Sequence, residues 1–163
     1  MTLTGRVFFV RIAVGSDHGG FELKSILTKE LMDRGYEILD LGTTDGVTAV
    51  DYPDFGAGVA HAVIDDRAEC GIAICGTGIG VAIAANKVRG VRAAVVHDVT
   101  TAQLAKEHNH ANVLCLGARV IGTQVAIDAV LAWLKQSPSE GRHLPRIEKL
   151  RMLDEHTDAN ERP

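Results

Sequence analysis

Short apolar runs alternate with amphipathic segments along nearly the whole chain. Runs of four to six apolar residues between glycine or polar residues are typical of buried strands, whereas apolar residues spaced three and four apart are typical of helices that pack on a sheet. The sequence therefore predicts strands at residues 11–15, 37–41, 70–75, 92–97 and 113–116. It predicts helices at residues 21–34, 55–65, 81–87, 99–108, 122–134 and 142–156.

The remaining segments are predicted to be loops and termini. Residues 42–54 (GTTDGVTAVDYPD) form the longest predicted loop, in which Pro53 argues against a regular helix. Residues 10–156 are interpreted as a single domain. Residues 1–9 are predicted to be an N-terminal extension, and residues 157–163 a polar, disordered C-terminal tail.

The regular alternation of strands and helices indicates the fold class. It favours a parallel sheet with right-handed crossovers and helices on both faces, which is a Rossmann-like three-layer α/β/α sandwich. Ligands of such folds bind at the carboxyl ends of the strands. The residues that follow the predicted strands are nearly all polar or glycine, and they predict one polar crevice: Ser16–His18, Gly42–Thr43, Cys75–Thr77, His97–Asp98 and Gly117–Arg119.

Composition and charge narrow the class of protein. The chain is 46% hydrophobic but only 4% aromatic, which suits helices on a parallel sheet. Its net charge of −4 argues against binding to nucleic acid or to an anionic membrane surface. No apolar stretch approaches the roughly 18 residues of a membrane-spanning helix, and the N-terminus lacks a convincing signal peptide. Three cysteines without a paired spacing indicate free thiols in a reducing cytoplasm.

The segment from Glu69 to Lys87 (ECGIAICGTGIGVAIAANK) is the centre of the predicted site. A buried strand ends at Cys75, a glycine turn with Thr77 follows, and a helix begins directly after it. Backbone N–H groups at a helix N-terminus favour a bound anion and a thiolate. A dinucleotide site is disfavoured because Val81 occupies the sixth position of GTGIGV, and a P-loop is excluded because no Gly-Lys-Ser/Thr follows. A purely structural tight turn remains an alternative.

Three other groups of polar residues can each be interpreted as structural or as functional. Asp17 could cap the first helix or, with His18, hold sugar hydroxyls or phosphate. The EHNHAN segment could be a solvated helix end or supply an acid–base histidine, but its histidines are two residues apart and do not predict a metal pair. Arg142 and Arg146, four residues apart on a predicted helix, could be a solvated surface or a phosphate clamp.

The motifs SDHGG, DYPD, ICGTGIG, AANK, EHN, LGAR and GRHLPR occur in an order and spacing that resemble the ribose-5-phosphate isomerase B family. That family includes the subunits of galactose-6-phosphate isomerase and the allose-6-phosphate isomerases. The resemblance covers about residues 11–155. It implies an enzyme that interconverts ribose 5-phosphate and ribulose 5-phosphate through a cis-enediolate, with no metal or other cofactor.

The resemblance also implies roles for individual residues. Cys75 matches the base that moves the proton, and His108 matches the residue that assists opening of the furanose ring. Thr77 and the backbone of Gly76, Gly78, Ile79 and Gly80 match the anion hole around the enediolate. The remaining matches are substrate-binding residues, with Arg142 and Arg146 on the phosphate: Asp17, His18, Asn109, Arg119, Arg142 and Arg146. The loop at residues 42–54 resembles a segment that lines the sugar site of the family, which makes Tyr52 a candidate contact.

Members of this family are dimers or tetramers whose active site is shared across the subunit interface, so the resemblance implies a homo-oligomer. Allose 6-phosphate or galactose 6-phosphate remains an alternative substrate, because the length of the sugar pocket decides the preference. A non-catalytic module that binds a sugar phosphate or a nucleotide is the alternative outside enzymes.

Overall fold

A computed structural model describes residues 10–158, with side chains described for residues 10–155. The strands are β1 (Arg11–Ser16), β2 (Glu37–Asp40), β3 (Cys70–Cys75), β4 (Ala93–Val95) and β5 (Val113–Gly117). The helices are α1 (Phe21–Asp33), α2 (Tyr52–Ile64), α3 (Ile79–Ala85), α4 (Val99–Asn109), α5 (Thr123–Lys135) and α6 (Leu144–Asp158). The predicted extension at residues 1–9 lies outside the described residues, as does the tail beyond residue 158.

The five strands form one parallel sheet in the order β2-β1-β3-β5-β4. The chain adds β2 on one side of β1 and then β3 on the other side, so the direction of winding reverses between β1 and β3. A crevice for ligands opens at such a reversal, at the carboxyl ends of the two strands. The predicted Rossmann-like α/β/α class is confirmed, and the order of the strands places the ends of β1 and β3 side by side.

Two apolar layers bury the sheet. On one face, α1, α4 and α5 cover alternate residues of the central strands, and the only tryptophan of the sequence, Trp133 of α5, is fully buried there. The Lys106 ammonium of α4 lies 4.9 Å from the centre of the Trp133 ring. On the other face, α2 and α3 cover the alternate set, which includes the Cys75 side chain. Cys75 therefore points toward α2 and α3.

Three predicted boundaries are wrong for physical reasons. Pro53 does not exclude a helix, because it lies in the first turn of α2, where a missing N–H and a fixed φ are tolerated. Helix α3 begins at Ile79 rather than Val81, since Gly78 takes a left-handed conformation (φ +79°) that ends the turn there. Strand β4 is shortened to three residues, because the chain beyond Val95 turns to form the cap of α4.

Within residues 10–158, no helix combines the length and the apolar character needed to cross a membrane.

Candidate active site

The thiol of Cys75 lies at the carboxyl end of β3, where it is 5% exposed. The Gly78 N–H donates a hydrogen bond to its sulfur at 3.1 Å. Glycine is required at position 78, because φ is positive and a Cβ atom would lie 2.9 Å from the backbone carbon of Leu116. The turn therefore closes tightly against β5 and aims a backbone donor at the sulfur.

The turn also offers donors to a bound anion. The Thr77 hydroxyl accepts a hydrogen bond from the Ile79 N–H at 3.3 Å, which leaves its own proton available for donation. Within the described part of the chain, the N–H groups of Gly76, Thr77 and Gly80 have no hydrogen-bond partner. Preorganised donors of this kind stabilise negative charge that develops on a reacting oxygen.

Asp17 lies beside this turn at the end of β1. Its N–H donates to the Ile74 carbonyl at 3.3 Å, and its carboxylate accepts from the Gly20 N–H at 3.0 Å. Asp17 is a cap, but of the short 3₁₀ turn His18–Gly20 rather than of α1, whose N-cap is Gly20. The carboxylate is 8% exposed and also lines the pocket over Cys75, so capping holds it at the site.

His18 is tied to the loop that precedes α2. Its Nδ1 accepts a hydrogen bond from the Val50 N–H at 3.2 Å, which leaves the ring proton of a neutral imidazole on Nε2. Asp45 stabilises the same loop: the N–H groups of Thr48 and Val47 both donate to its carboxylate and lower its pKa. The loop thus fixes the tautomer that His18 presents.

The base of that loop is held by Lys24 of α1, which is only 4% exposed. Its ammonium donates to the Asp40 carboxylate at 2.7 and 2.8 Å and to the Thr43 carbonyl at 3.2 Å. A Cβ atom on Gly42 would lie 2.6 Å from Cδ of this lysine, so the loop passes directly over it. Lys24 is a contributor to the site that the sequence analysis missed.

Cys75 and its neighbours line an open pocket of about 410 Å³. The lining residues are Asp17, Tyr52, Cys75, Gly76, Thr77, Ile79, Gly80 and Ile83. The Tyr52 ring occupies the space beside Gly80, where a Cβ atom would lie 2.6 Å from the ring. The Arg119 guanidinium lies about 3.3 Å from the position that a Gly76 side chain would take and 3.4 Å from that of Gly19. A thiol, a carboxylate and a hydroxyl thus line one cavity, and a guanidinium lies beside Gly76 in its wall.

A second group of predicted site residues lies at the carboxyl end of α4. The rings of His108 and His143 stack with centres 4.2 Å apart and planes 9° from parallel. Arg142 Nε donates to His143 Nε2 at 3.2 Å. The pKa of His143 is lowered, and burial is the main cause. The nearby charges of His108, Arg142 and Arg146 lower it further. A buried neutral imidazole therefore stands between two residues that were predicted to act on the substrate.

The segment before α6 is anchored to α4 by several hydrogen bonds. The N–H and the hydroxyl of Ser139 donate to the Glu107 carbonyl at 2.9 and 2.8 Å. His110 Nε2 lies 2.7 Å from the Ser139 carbonyl oxygen. Gly141 follows with φ +75° and starts a 3₁₀ turn that contains Arg142 and His143. The prediction that the last helix begins at residue 142 is wrong, because Arg142 lies in the 3₁₀ turn and α6 begins at Leu144.

Two of the remaining predicted positions have structural roles. Asp98 caps α4 by accepting from the Thr101 N–H at 2.7 Å, so the end of β4 supplies a helix cap rather than a wall of the pocket. Asn109 ends α4 with an exposed side chain, and its carbonyl accepts from Arg92 Nε at 3.1 Å.

The two groups of site residues are separate within the chain. Among residues 10–155, no hydrogen bond, ion pair or ring contact joins the Cys75 pocket to the His108 group. Of the strand ends that were predicted to form one polar crevice, those of β1 and β3 line the Cys75 pocket, Arg119 after β5 lies beside Gly76, and the end of β4 does not line it. Sequence analysis missed His143, for which the only signal was its position next to a matched arginine.

Among the residues that the structure describes, no three His, Cys, Asp or Glu side chains are grouped to hold a metal ion.

Comparison with known proteins identifies one family over most of the chain. Residues 12–150 match the profile of the Ribose/Galactose Isomerase family. Ribose-5-phosphate isomerase B of Escherichia coli is 43% identical over 145 residues, covering 89% of this chain and 97% of that protein.

Solved structures agree. A ribose-5-phosphate isomerase B structure from Clostridium thermocellum is 47% identical, covers 91% of this chain and 99% of its own, and superposes with a TM-score of 0.89. A Mycoplasma genitalium ribose-5-phosphate isomerase B with bound ribulose 5-phosphate is 41% identical. It covers 90% of this chain and 97% of its own, and superposes with a TM-score of 0.85.

Proposed function

The chain belongs to the Ribose/Galactose Isomerase family, and from this membership we propose that it interconverts ribose 5-phosphate and ribulose 5-phosphate. The observation that carries the proposal is the pocket at the end of β3. It combines the Cys75 thiol with the Thr77 hydroxyl and with the N–H groups of Gly76, Thr77 and Gly80, which have no partner among the described residues. A carbon base beside preorganised donors is what an enediolate intermediate requires.

In the proposed reaction, Cys75 acts as a thiolate on the open-chain aldose. It takes the proton from C2, and the C2–H electron pair forms the C1–C2 double bond while the carbonyl electrons move onto O1. The resulting cis-enediolate is stabilised by Thr77 and the N–H groups of the turn, which bind the developing charge more strongly than the neutral sugar. Cys75 then returns the proton to C1 and the O2 proton passes to O1, which gives the ketose and regenerates the thiolate.

The other predicted residues hold and prepare the sugar. His108 assists opening of the furanose ring by proton transfer at the ring oxygen. Arg142 and Arg146 bind the phosphate, so the binding energy of a remote group holds C1 and C2 against the thiol. Asp17, His18, Asn109 and Arg119 contact the sugar, with Tyr52 along the pocket wall.

A complete site is proposed to form between two copies of the chain. Two features support this. Within residues 10–155 of one chain, the Cys75 pocket and the His108 group have no contact, and apolar side chains are exposed beside the pocket. Ile79 and Ile83 lie one turn apart on α3, line the pocket, and are 56% and 57% exposed. A two-fold dimer would bury them and supply His108 from the partner subunit. Pairing of dimers into a tetramer is compatible with this arrangement.

The three buried free cysteines suit a reducing compartment, and we place the enzyme in the cytoplasm.

The test of the proposed base is Cys75→Ala. With ribose 5-phosphate as substrate, we expect kcat to fall by about 10²- to 10⁴-fold, the usual contribution of a general base. KM should change little, because the phosphate contacts remain. Cys115→Ala is the matched control: Cys115 is a buried thiol of the neighbouring strand, and burial raises its pKa, so it stays protonated. Near-normal turnover by Cys75→Ala would overturn the assignment.

The substrate is tested by initial rates of the unmodified protein on ribose 5-phosphate, allose 6-phosphate and galactose 6-phosphate. The proposal expects the highest kcat/KM on ribose 5-phosphate. A preference for a six-carbon sugar would move the protein to another branch of the family. Absence of turnover on all three, with retained binding, would favour the non-catalytic module.

A further inference from the structure

His143 is the most buried member of the His108 group, yet neither the family motifs nor the sequence analysis gives it a role. It is 7% exposed, whereas both arginines beside it are exposed. It touches two residues of different proposed function: its ring face covers His108 at 4.2 Å, and its Nε2 accepts from Arg142 Nε at 3.2 Å.

These contacts fix the protonation of the ring. An arginine is always charged and only donates, so His143 Nε2 must be an unprotonated acceptor and the ring proton must be on Nδ1. A second proton on His143 would remove the acceptor and place a cation against Arg142. The groups that face the ring from its surroundings are His108 and Glu107 of α4, Arg142 of the same turn, and Arg146 of α6. Three of these four are cations or become cations, so they keep the ring neutral.

We propose that His143 is a positioning residue of the isomerase: the face of its neutral ring orients His108 for ring opening, and its Nε2 orients Arg142 for the substrate phosphate. The inference rests on the proposed function. The two contacts use different parts of one side chain, so they are separable by substitution.

The turn that carries His143 is well placed for this task. Ser139 holds the preceding segment on the carbonyl of Glu107, the residue directly before His108. The 3₁₀ turn then brings Arg142 and His143 back over the end of α4. Ring opening and phosphate binding must act on the same substrate molecule, and a single ring that contacts both residues sets their separation.

Two variants separate the contacts. His143→Phe keeps a flat ring against His108 but cannot accept from Arg142, whereas His143→Gln keeps an acceptor oxygen but has no ring. With ribose 5-phosphate, we expect His143→Phe to raise KM about tenfold, as for loss of a hydrogen bond to a charged group, while kcat changes little. Its inhibition constant for inorganic phosphate should rise by about the same factor.

His143→Gln is expected to show the opposite pattern. KM and the inhibition constant for phosphate should stay near the wild-type values, while kcat falls about ten- to a hundredfold because His108 is misoriented. Thermal unfolding of both variants shows whether the fold is retained. His61→Phe and His61→Gln, at an exposed histidine of α2, are the matched controls and should behave as wild type.

The opposite patterns of KM and kcat would support the positioning role. Unchanged kinetics in both variants would overturn it, as would equal losses in kcat and KM that track a lowered Tm, since those indicate a structural role alone. A wild-type protein that does not isomerise ribose 5-phosphate would instead overturn the proposed function, which separates the two failures.

Discussion

Two lysines of α1 show how burial changes the effect of a single charge. Lys24 is buried and joins Asp40 to the carbonyl of Thr43, whereas Lys29 forms an exposed pair with Asp33 in which its own side chain is 78% exposed. Exposed pairs contribute little to stability, but a buried ion with several hydrogen bonds leaves its partners unsatisfied when it is removed.

We therefore expect Lys24→Met to lower the free energy of unfolding by about 1–3 kcal/mol, because the buried Thr43 carbonyl loses its donor and Asp40 loses its ion pair. Lys29→Met should change it by less than about 0.5 kcal/mol, as is usual at exposed positions. Urea denaturation of both variants is the measurement. Equal effects of the two substitutions would contradict the importance of the Lys24 contacts at the loop base.

His143 makes stability depend on pH. Its pKa in the folded chain lies below the ordinary value of 6.5, with burial as the main cause. As the pH falls below 6.5, His143 of the unfolded chain binds a proton before His143 of the folded chain does. The free energy of unfolding therefore decreases as the solution becomes more acidic. We expect the Tm of wild type to fall between about pH 7 and pH 5 more steeply than that of His143→Phe. His61→Phe should follow wild type, and identical slopes for all three proteins would refute the buried neutral state.

Among single residues, sequence reasoning succeeded where a residue type carries its own chemistry. Cys75 stands out as a thiol at a strand end, and Asp17 as a capping carboxylate, although it caps the 3₁₀ turn before α1 rather than α1 itself. His143 and Lys24 could not be found in this way. Their roles depend on burial by segments distant in sequence, and a buried lysine has the same local pattern as an exposed one.

At the level of elements, the packing of α2 on α3 depends on Gly56. A Cβ atom at this position would lie 2.6 Å from the Val81 carbonyl oxygen and 3.0 Å from the Ala84 Cβ. Because the first of these is a backbone atom, the helices would have to move apart. Gly58, in the same helix, faces open space with no atom within 4 Å.

Gly56→Ala is expected to destabilise the protein by about 1–3 kcal/mol, as overpacking usually does. Gly58→Ala should instead stabilise it by up to about 1 kcal/mol, because alanine is the better helix former. Chemical denaturation of the two variants provides the comparison. Since α3 carries the end of the Cys75 turn, Gly56→Ala should also reduce activity. Stabilisation by both substitutions would show that the helices are not in close contact.

The elements themselves could be predicted from periodicity, but their ends could not. A proline in a sequence pattern argues against a helix, but the first turn of α2 accepts Pro53, so the sequence pattern does not report where α2 starts. The start of α6 was missed because Gly141 inserts a 3₁₀ turn ahead of the helix. In each case the backbone conformation of one or two residues decides the boundary, and apolar spacing does not report it.

For the whole molecule, the order of the strands in the sheet could not be predicted from the sequence. Alternation predicts a parallel sheet, but β5 lies between β3 and β4, which follows from no local pattern. That order brings Gly117 of β5 against Thr77 of the turn, where a Cβ atom would lie 2.5 Å from the Thr77 carbonyl oxygen. The grouping of the site residues into two separate sets is likewise a consequence of topology.

A shared site predicts complementation between inactive variants. Cys75→Ala and His108→Asn should each be inactive alone. If Cys75 of one subunit works with His108 of the other, a mixed dimer has one intact site and one doubly damaged site. Denaturing and refolding an equal mixture should restore about a quarter of wild-type activity, because half of the dimers are mixed. Cys75→Ala refolded alone is the control. No recovery in mixtures that demonstrably contain mixed dimers would place the whole site in one chain.

The burial of Trp133 gives the protein an internal fluorescent reporter. It is the only tryptophan, it is fully buried in α5, and within residues 10–155 its indole N–H has no hydrogen-bond partner. A lysine of α4 lies over its ring, two residues before His108 in the sequence. A nearby ammonium and an apolar environment both influence indole emission. Changes in emission on binding of a sugar phosphate would therefore report movement of the helix that carries His108, in unlabelled protein.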